Sequence, residues 1–198
     1  MSEAKTKKQL THQRMLDAAS QSFRGNGFSG IGVDGIAKAA GVTSGAFYAH
    51  FGSKDKAFKA ALEAGLDEVI EAVPKFQQDN GKDWVSAFVE YYTGKPHRKN
   101  LQCGCAMTTL TPEVVRASPE LHALYESKMK QITELLANGL KGQKRQERVA
   151  RAWALIGILT GGLTLSRAVK TEKAAEEIAA SIRASAIAVA GKVSAKPE

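Results

Sequence analysis

Residues 28–54 read FSGIGVDGIAKAAGVTSGAFYAHFGSK. Val33, Ile36, Ala37 and Ala40 recur at helical spacing and stop at Gly41, where a tight turn needs a residue tolerant of positive φ. Thr43 or Ser44 then caps a further helix through Gly45, Ala46, Phe47, Tyr48, Ala49 and His50, and Gly52-Ser53 breaks it. Helix, short glycine turn, helix is the length of a helix-turn-helix, whose second helix enters the DNA major groove while the first braces it. The second helix carries small residues (Ser44, Gly45, Ala46, Ala49) on one side and Phe47 and Phe51 on the other. Small residues permit close approach to base edges, and the two phenylalanines anchor the helix to a core. The same pattern also suits a plain three-helix bundle with no ligand.

Outward from this stretch, Leu10, Met15 or Leu16, Ala19 and Phe23 mark an earlier helix that stops at Gly25-Asn26-Gly27. Ser53 caps a later one from about Lys54 to Gln78, with Pro74 expected to kink or end it. The whole chain has 198 residues, 43% hydrophobic and 24% charged, an ordinary composition for a globular protein. Aromatic residues are sparse and period-2 β-branched runs nearly absent, so a sheet-rich fold is not expected. Two cysteines give no disulfide framework. No apolar run of about 18 residues is seen, and the polar start lacks the apolar core of a signal peptide. A cytoplasmic protein with no membrane partner is the expectation. The net charge is +8, and it is uneven. Residues 1–60 hold nine bases against four acids, and the remaining residues nineteen against sixteen. A basic small end on a nearly neutral body suits a nucleic-acid partner or, equally, a solvated surface.

The order IAKAAGV, then GAFYAHFGSK, within residues 28–54 resembles the DNA-binding signature of TetR-type (TetR/AcrR) transcriptional regulators. The resemblance covers roughly residues 10–60; beyond that only length and helical texture match. It implies that Thr43 and Ser44 open the recognition helix and reach bases or phosphate, and that Gly45 and Ala46 face the groove. It also implies that Tyr48, His50 and Lys54 contact the phosphate backbone. Hydroxyls, helix N-termini and a lysine are all phosphate-seeking. Two departures stand out. Gly32 occupies the cap of the bracing helix, where the family often has Thr or Ser, and Ser44 stands where many members have Lys or Arg. Bidentate arginine–guanine readout is absent at that position, which gives more weight to a basic arm of Lys5, Lys7 and Lys8.

The later chain reads as helices throughout. Trp84, Val85, Phe88, Val89, Tyr91 and Tyr92 mark one, stopped at Gly94 and Pro96 and followed by a loop at His97–Asn100. Helix around 104–117 is broken at Pro112, and Pro119 opens a long helix ended by Gly142. Val149, Trp153, Ile156, Thr160 and Leu163 step 4, 3, 4, 3, and Ile178, Ile182, Ser185 and Val189 step 4, 3, 4. The first of these helices is apolar on several faces, so several faces are buried. Gly157, Gly161 and Gly162 weaken it by about 1 kcal/mol each unless close helix contact uses them. Periodicity alone leaves open whether this pair packs within one subunit or against a copy. The resemblance favours a homodimer, with Val149, Trp153, Ile156, Thr160, Leu163, Ile178, Ile182 and Val189 at the interface. Its two recognition helices would lie about 34–36 Å apart.

An all-α fold is therefore expected, with an N-terminal three-helix helix-turn-helix DNA-binding domain over residues 1–60. A C-terminal helical effector-binding and dimerisation domain would occupy 61–198. The resemblance implies a one-component regulator, a repressor in most such cases, that binds a palindromic DNA operator and is released by a small-molecule effector. Candidates for the effector pocket are Trp84, Phe88, Tyr91, Tyr92, Cys105, Met107, Tyr125, Met129 and Trp153, although each alone also reads as core. Cys103-Gly104-Cys105 lies near Lys95, Arg98 and Lys99, which favour a thiolate, so a thiol-based redox or electrophile sensor through Cys105 or Cys103 is the alternative. A small buried thiol is the plainer reading. The spacing fits no zinc site, and no metal or cofactor is expected. No Ser/His/Asp or thioredoxin-like pattern is present, so a regulator rather than a thiol enzyme is expected. A non-specific nucleoid-type protein would explain the charge but not the apolar body.

Overall fold

The computed structural model describes residues 6–102 and 104–191. Lys5 of the expected basic arm and Cys103 lie outside them. The described residues form α-helices and no strand, as the composition predicts. They are α1 (Lys7–Asn26), α2 (Val33–Ala39), α3 (Ser44–Phe51), α4 (Lys54–Asn80), α5 (Trp84–Thr93), α6 (Lys95–Lys99), α7 (Ala106–Val114), α8 (Pro119–Gly139), α9 (Arg145–Ala168) and α10 (Glu172–Ala190). Packing gathers them into two compact units, residues up to 66 with 101–125, and 67–100 with those from 126 onward. This grouping differs from a division along the sequence at residue 60, because α7 packs with α1 and meets α4 at Gly65.

In the first unit α1 opens with a capping box. The Thr6 hydroxyl accepts from the Gln9 N–H at 3.2 Å, and the Gln9 side chain accepts from the Thr6 N–H at 2.7 Å. Met15, Ala19 and Phe23 are buried, as are Ile36, Phe47, Phe58, Leu62 and Leu66, and the Phe23 ring meets Phe58 edge-on. Arg24 counts as a base by sequence but is buried, and its guanidinium donates to the Gly104 carbonyl at 3.1 Å. At Gly65 an added Cβ would stand 2.6 Å from the Ala106 Cβ and 2.8 Å from Arg24 Nη2. The backbones of α1, α4 and α7 thus converge where only a hydrogen fits. The break expected at Pro112 does not occur; that proline lies inside α7.

In the second unit α4 runs through Pro74 to Asn80. The end expected at Pro74 does not occur, and the turns beyond it are held from outside. Gln77 donates to the Leu135 carbonyl at 2.8 Å and Trp84 Nε1 to the Gly139 carbonyl at 3.1 Å. The loop expected at His97–Asn100 is instead mostly the short helix α6, with Pro96 in its first turn, where its missing N–H is harmless. Arg98 is buried and donates to the Thr93 carbonyl at 2.8 Å, to Glu172 at 3.0 Å and to Glu176 at 2.7 Å. It ties α6 to α10. Burial of Ala152, Leu155, Ile156, Leu159 and Leu163 turns one face of α9 toward α10 and α5. By length and apolar content α9 is a helix that could cross a membrane, which the sequence expectation did not register.

Candidate nucleic-acid interface

The left-handed turn at Gly41 (φ +66°) aims α3, and the Thr43 hydroxyl caps it by accepting from the Ala46 N–H at 3.2 Å. Phe47 and Phe51 are buried with ring centroids 5.2 Å apart, which fixes the roll of α3. That roll leaves Thr43, Gly45, Tyr48 and Ala49 exposed, and Ala46 half-buried. Tyr48 is 52% exposed and rests edge-on against Phe47, so its hydroxyl is carried on a fixed ring. A Cβ at Gly45 would meet nothing nearer than the Thr43 hydroxyl at 3.8 Å. Nothing among the described residues requires glycine there.

Ser44 is half-buried, and its hydroxyl bonds to the Asp34 carboxylate in the first turn of α2. The side chain expected to reach bases therefore links the two helices of the turn. The α2 cap at Gly32 has no side-chain hydrogen bond, as its residue type dictates. Ser53 caps α4, accepting from the Lys56 N–H at 3.1 Å. The Lys54 ammonium stands 4.4 Å from the centroid of the Phe28 ring, a cation–π contact that holds it beside the C-terminal end of α3.

One part of this surface has no signal in the three-helix motif. His12 of α1 packs on His50 (centroids 5.5 Å) and on Phe51 (5.1 Å). Around this pair opens a cleft of about 430 Å³ lined by Lys8, Gln9, His12, Gln13, Ala49 and His50. Lys8 and His12 stand four residues apart and share a helix face, which is the one signal that could have placed them here. The basic excess is also redistributed. Arg24 is internal, and Lys59 is engaged in an ion pair with Glu120.

The expected effector-pocket residues divide between the units. Cys105, Met107 and Tyr125 belong to the first, and Trp84, Phe88, Tyr91, Tyr92, Met129 and Trp153 to the second. Cys105 is half-buried at the start of α7. Tyr125 bonds to the Thr111 hydroxyl at 2.7 Å, and burial raises its phenol pKa above the ordinary value. Trp84, Phe88 and Tyr92 form a buried ring row and Met129 is also buried. Tyr91 and Trp153 are surface residues, so these two do not line the interior as expected. His97 sits between Tyr91 and Tyr92, and burial, then the Arg167 charge, lowers its pKa.

The expected interface residues also separate. Leu163 (1% exposed) and Ile156 (7%) face their own subunit, a correction that follows from the roll of α9 against α10. Val149, Thr160, Ile178, Ile182 and Val189 are half-buried. At Gly162 a Cβ would stand 2.4 Å from Ile182 Cγ1, so this glycine serves α9–α10 packing. Gly157 and Gly161 face open space, in line with exposed Trp153 and Leu165.

A model of bacterial regulatory proteins of the tetR family matches residues 15–61. The HTH-type transcriptional regulator UidR of Escherichia coli K12 is 26% identical over 151 residues, which cover 76% of this chain and 74% of that protein. Two solved structures share the fold. A TetR-family transcriptional regulator from Cytophaga hutchinsonii superposes with a TM-score of 0.79 at 16% identity, covering 98% of this chain and 100% of that one. The reduced form of E. coli NemR gives 0.72 at 21% identity, over 87% and 94%.

Proposed function

We infer that this chain, which belongs to the TetR family of transcriptional regulators, is a homodimeric repressor that binds a two-half-site DNA operator and releases it on binding a small molecule. The observation that carries the reading is the outward face of α3. Thr43, Gly45 and Ala46 form its small-residue front, Tyr48 and Lys54 flank it, and two phenylalanines hold it from behind. Small side chains let the helix backbone approach base edges, while the hydroxyls, the lysine and the cleft at Lys8, His12 and His50 suit phosphate. The relatives UidR and NemR are an HTH-type regulator and an HTH-type repressor, which supports the same role here.

The dimer reading rests on α9. Trp153, Gly157, Gly161, Thr164 and Leu165 form an exposed stripe, and the outer face of α10 offers Ala180, Ser181, Ala184 and Ala188. Trp153 and Leu165 are large apolar side chains in water, and the two open glycines permit close backbone approach by a second copy. This stripe replaces Leu163 and Ile156 as the contact surface. The test is binding of the full chain to the intergenic DNA beside its own gene against scrambled duplex at one salt concentration. Preference of several orders of magnitude with two symmetric protected half-sites is expected. Equal binding to both duplexes would replace the operator reading with non-specific binding.

A further inference from the structure

A second cavity, of about 650 Å³, lies wholly within the first unit, between the start of α4 and the turn from α7 into α8. Its volume is that of small-molecule sites, roughly 300–1,000 Å³. Phe28, Phe58, Ala117 and Leu121 supply its apolar wall. Phe28 and Phe58 meet edge to face at 5.3 Å, and Phe23 stands 5.2 Å from Phe58 on the inner side, so the wall is a braced aromatic cluster. The charged lining is balanced, with Lys56, Lys59 and Arg116 against Asp55, Glu113 and Glu120. Two of these pairs are already made within the chain, Lys59 with Glu120 and Arg116 with Glu113. A charged guest would find no net field and would compete with an existing ion pair. An uncharged guest loses nothing and gains the aromatic wall. The exposed Ser29 and Ser118 hydroxyls at the rim suit hydroxyl or carbonyl substituents.

We propose that this cavity is a binding site for small, flat, uncharged aromatic molecules with polar edge groups. The proposal deepens the ligand response proposed above, and only its consequence for DNA rests on that reading. The consequence runs through Phe28, whose ring belongs to the cavity wall and also carries the Lys54 ammonium at 4.4 Å. A guest stacked on Phe28 repositions the lysine assigned to phosphate.

The probe for the test is N-phenyl-1-naphthylamine, uncharged, aromatic and bright only away from water, titrated into the full chain without DNA. Saturable fluorescence is expected, with at least about tenfold weaker binding in Ala117→Trp, which fills the cavity, and in Ser118→Trp, which blocks its rim. Amide spectra check that both variants fold and locate the probe in the wild type. The expected shifts centre on Phe28, Ser29, Ala117 and Leu121. Absence of saturation, undiminished binding in both folded variants, or shifts centred on Trp84 and Phe88 would each overturn the proposal. Because the assay contains no DNA, a chain that binds the probe here but no operator sinks the regulator reading alone, and the reverse sinks this site alone.

Discussion

At the scale of single residues, Gly45 separates what the fold needs from what a partner needs. It lies on a helix, its site has room for a methyl group, and glycine there weakens the helix. Gly45→Ala should therefore raise stability by roughly 0.5–1 kcal/mol, read by chemical denaturation, while lowering operator affinity. A stabilised variant with unchanged DNA binding would remove Gly45 from the groove-facing set. Tyr48→Phe combined with Lys54→Ala should weaken operator and random duplex alike and flatten the salt dependence, since both side chains are assigned to phosphate. An unchanged salt slope would cancel that assignment. Much of this surface was legible in the sequence, because the cap Thr43, the turn at Gly41 and the inward Phe47 and Phe51 all obey local rules. The Ser44–Asp34 bond and the His12–His50 contact were not, because each joins residues that periodicity treats as unrelated. The burial of Arg24 was hidden for the same reason, since its carbonyl partner at Gly104 lies 80 residues away.

At the scale of elements, α9 presents two neighbouring glycines with opposite consequences. Gly162→Ala forces a methyl group into Ile182 and should cost about 1–3 kcal/mol of stability with the subunit contact intact. Gly161→Leu places its side chain in the open stripe and should leave the monomer folded but dissociate the proposed dimer, measured by sedimentation at micromolar protein. A dimer that survives Gly161→Leu and Trp153→Glu would move the interface off α9. The helical periodicity of α9 was evident in the sequence, but its roll was not. A helix apolar on several sides offers more than one face, and packing against α10 chose the one bearing Leu155, Leu159 and Leu163. The continuity of α4 through Pro74 likewise follows from packing beyond it. A local rule sees only the lost N–H, and not the Gln77 bond to Leu135 that secures the next turn. The helix α6 escaped notice because four of its five residues are polar and the fifth is Pro96, and the buried Arg98 that defines it looks like any surface base.

At the scale of the whole molecule, acid should loosen the fold in two stages. His97 has its pKa lowered from 6.5 by burial and by Arg167, so the folded state resists its protonation. Stability then falls as pH drops below 6.5, where the unfolded chain takes up the proton first. Glu172 is held below the usual 4.5 by Arg98 and Lys99, and Glu176 by Arg183 and Arg98. Their contribution is complete above 4.5 and is lost as pH falls through their lowered values. Melting temperatures should decline from pH 7.5 to 5.5 and again as pH falls below 4.5. His97→Gln should reduce the first decline, and Glu172→Gln with Glu176→Gln should shrink the second, to which Glu120 and Glu126, lowered by Lys59 and Lys130, also contribute. A melting temperature higher at pH 5.5 than at pH 7.5 would contradict the first stage. The placement of α7 against Arg24 and Gly65 carries one more consequence, for the order of events during synthesis. The first unit draws on residues 101–125, so its helix-turn-helix leaves the ribosome before its own cover exists. At 5–20 residues per second the missing segment follows residue 66 by roughly 3–12 seconds. During that interval Arg24 and the bare backbone at Gly65 wait in water, and the nascent chain carries α3 before the unit that holds α1 and α4 against α7 can close.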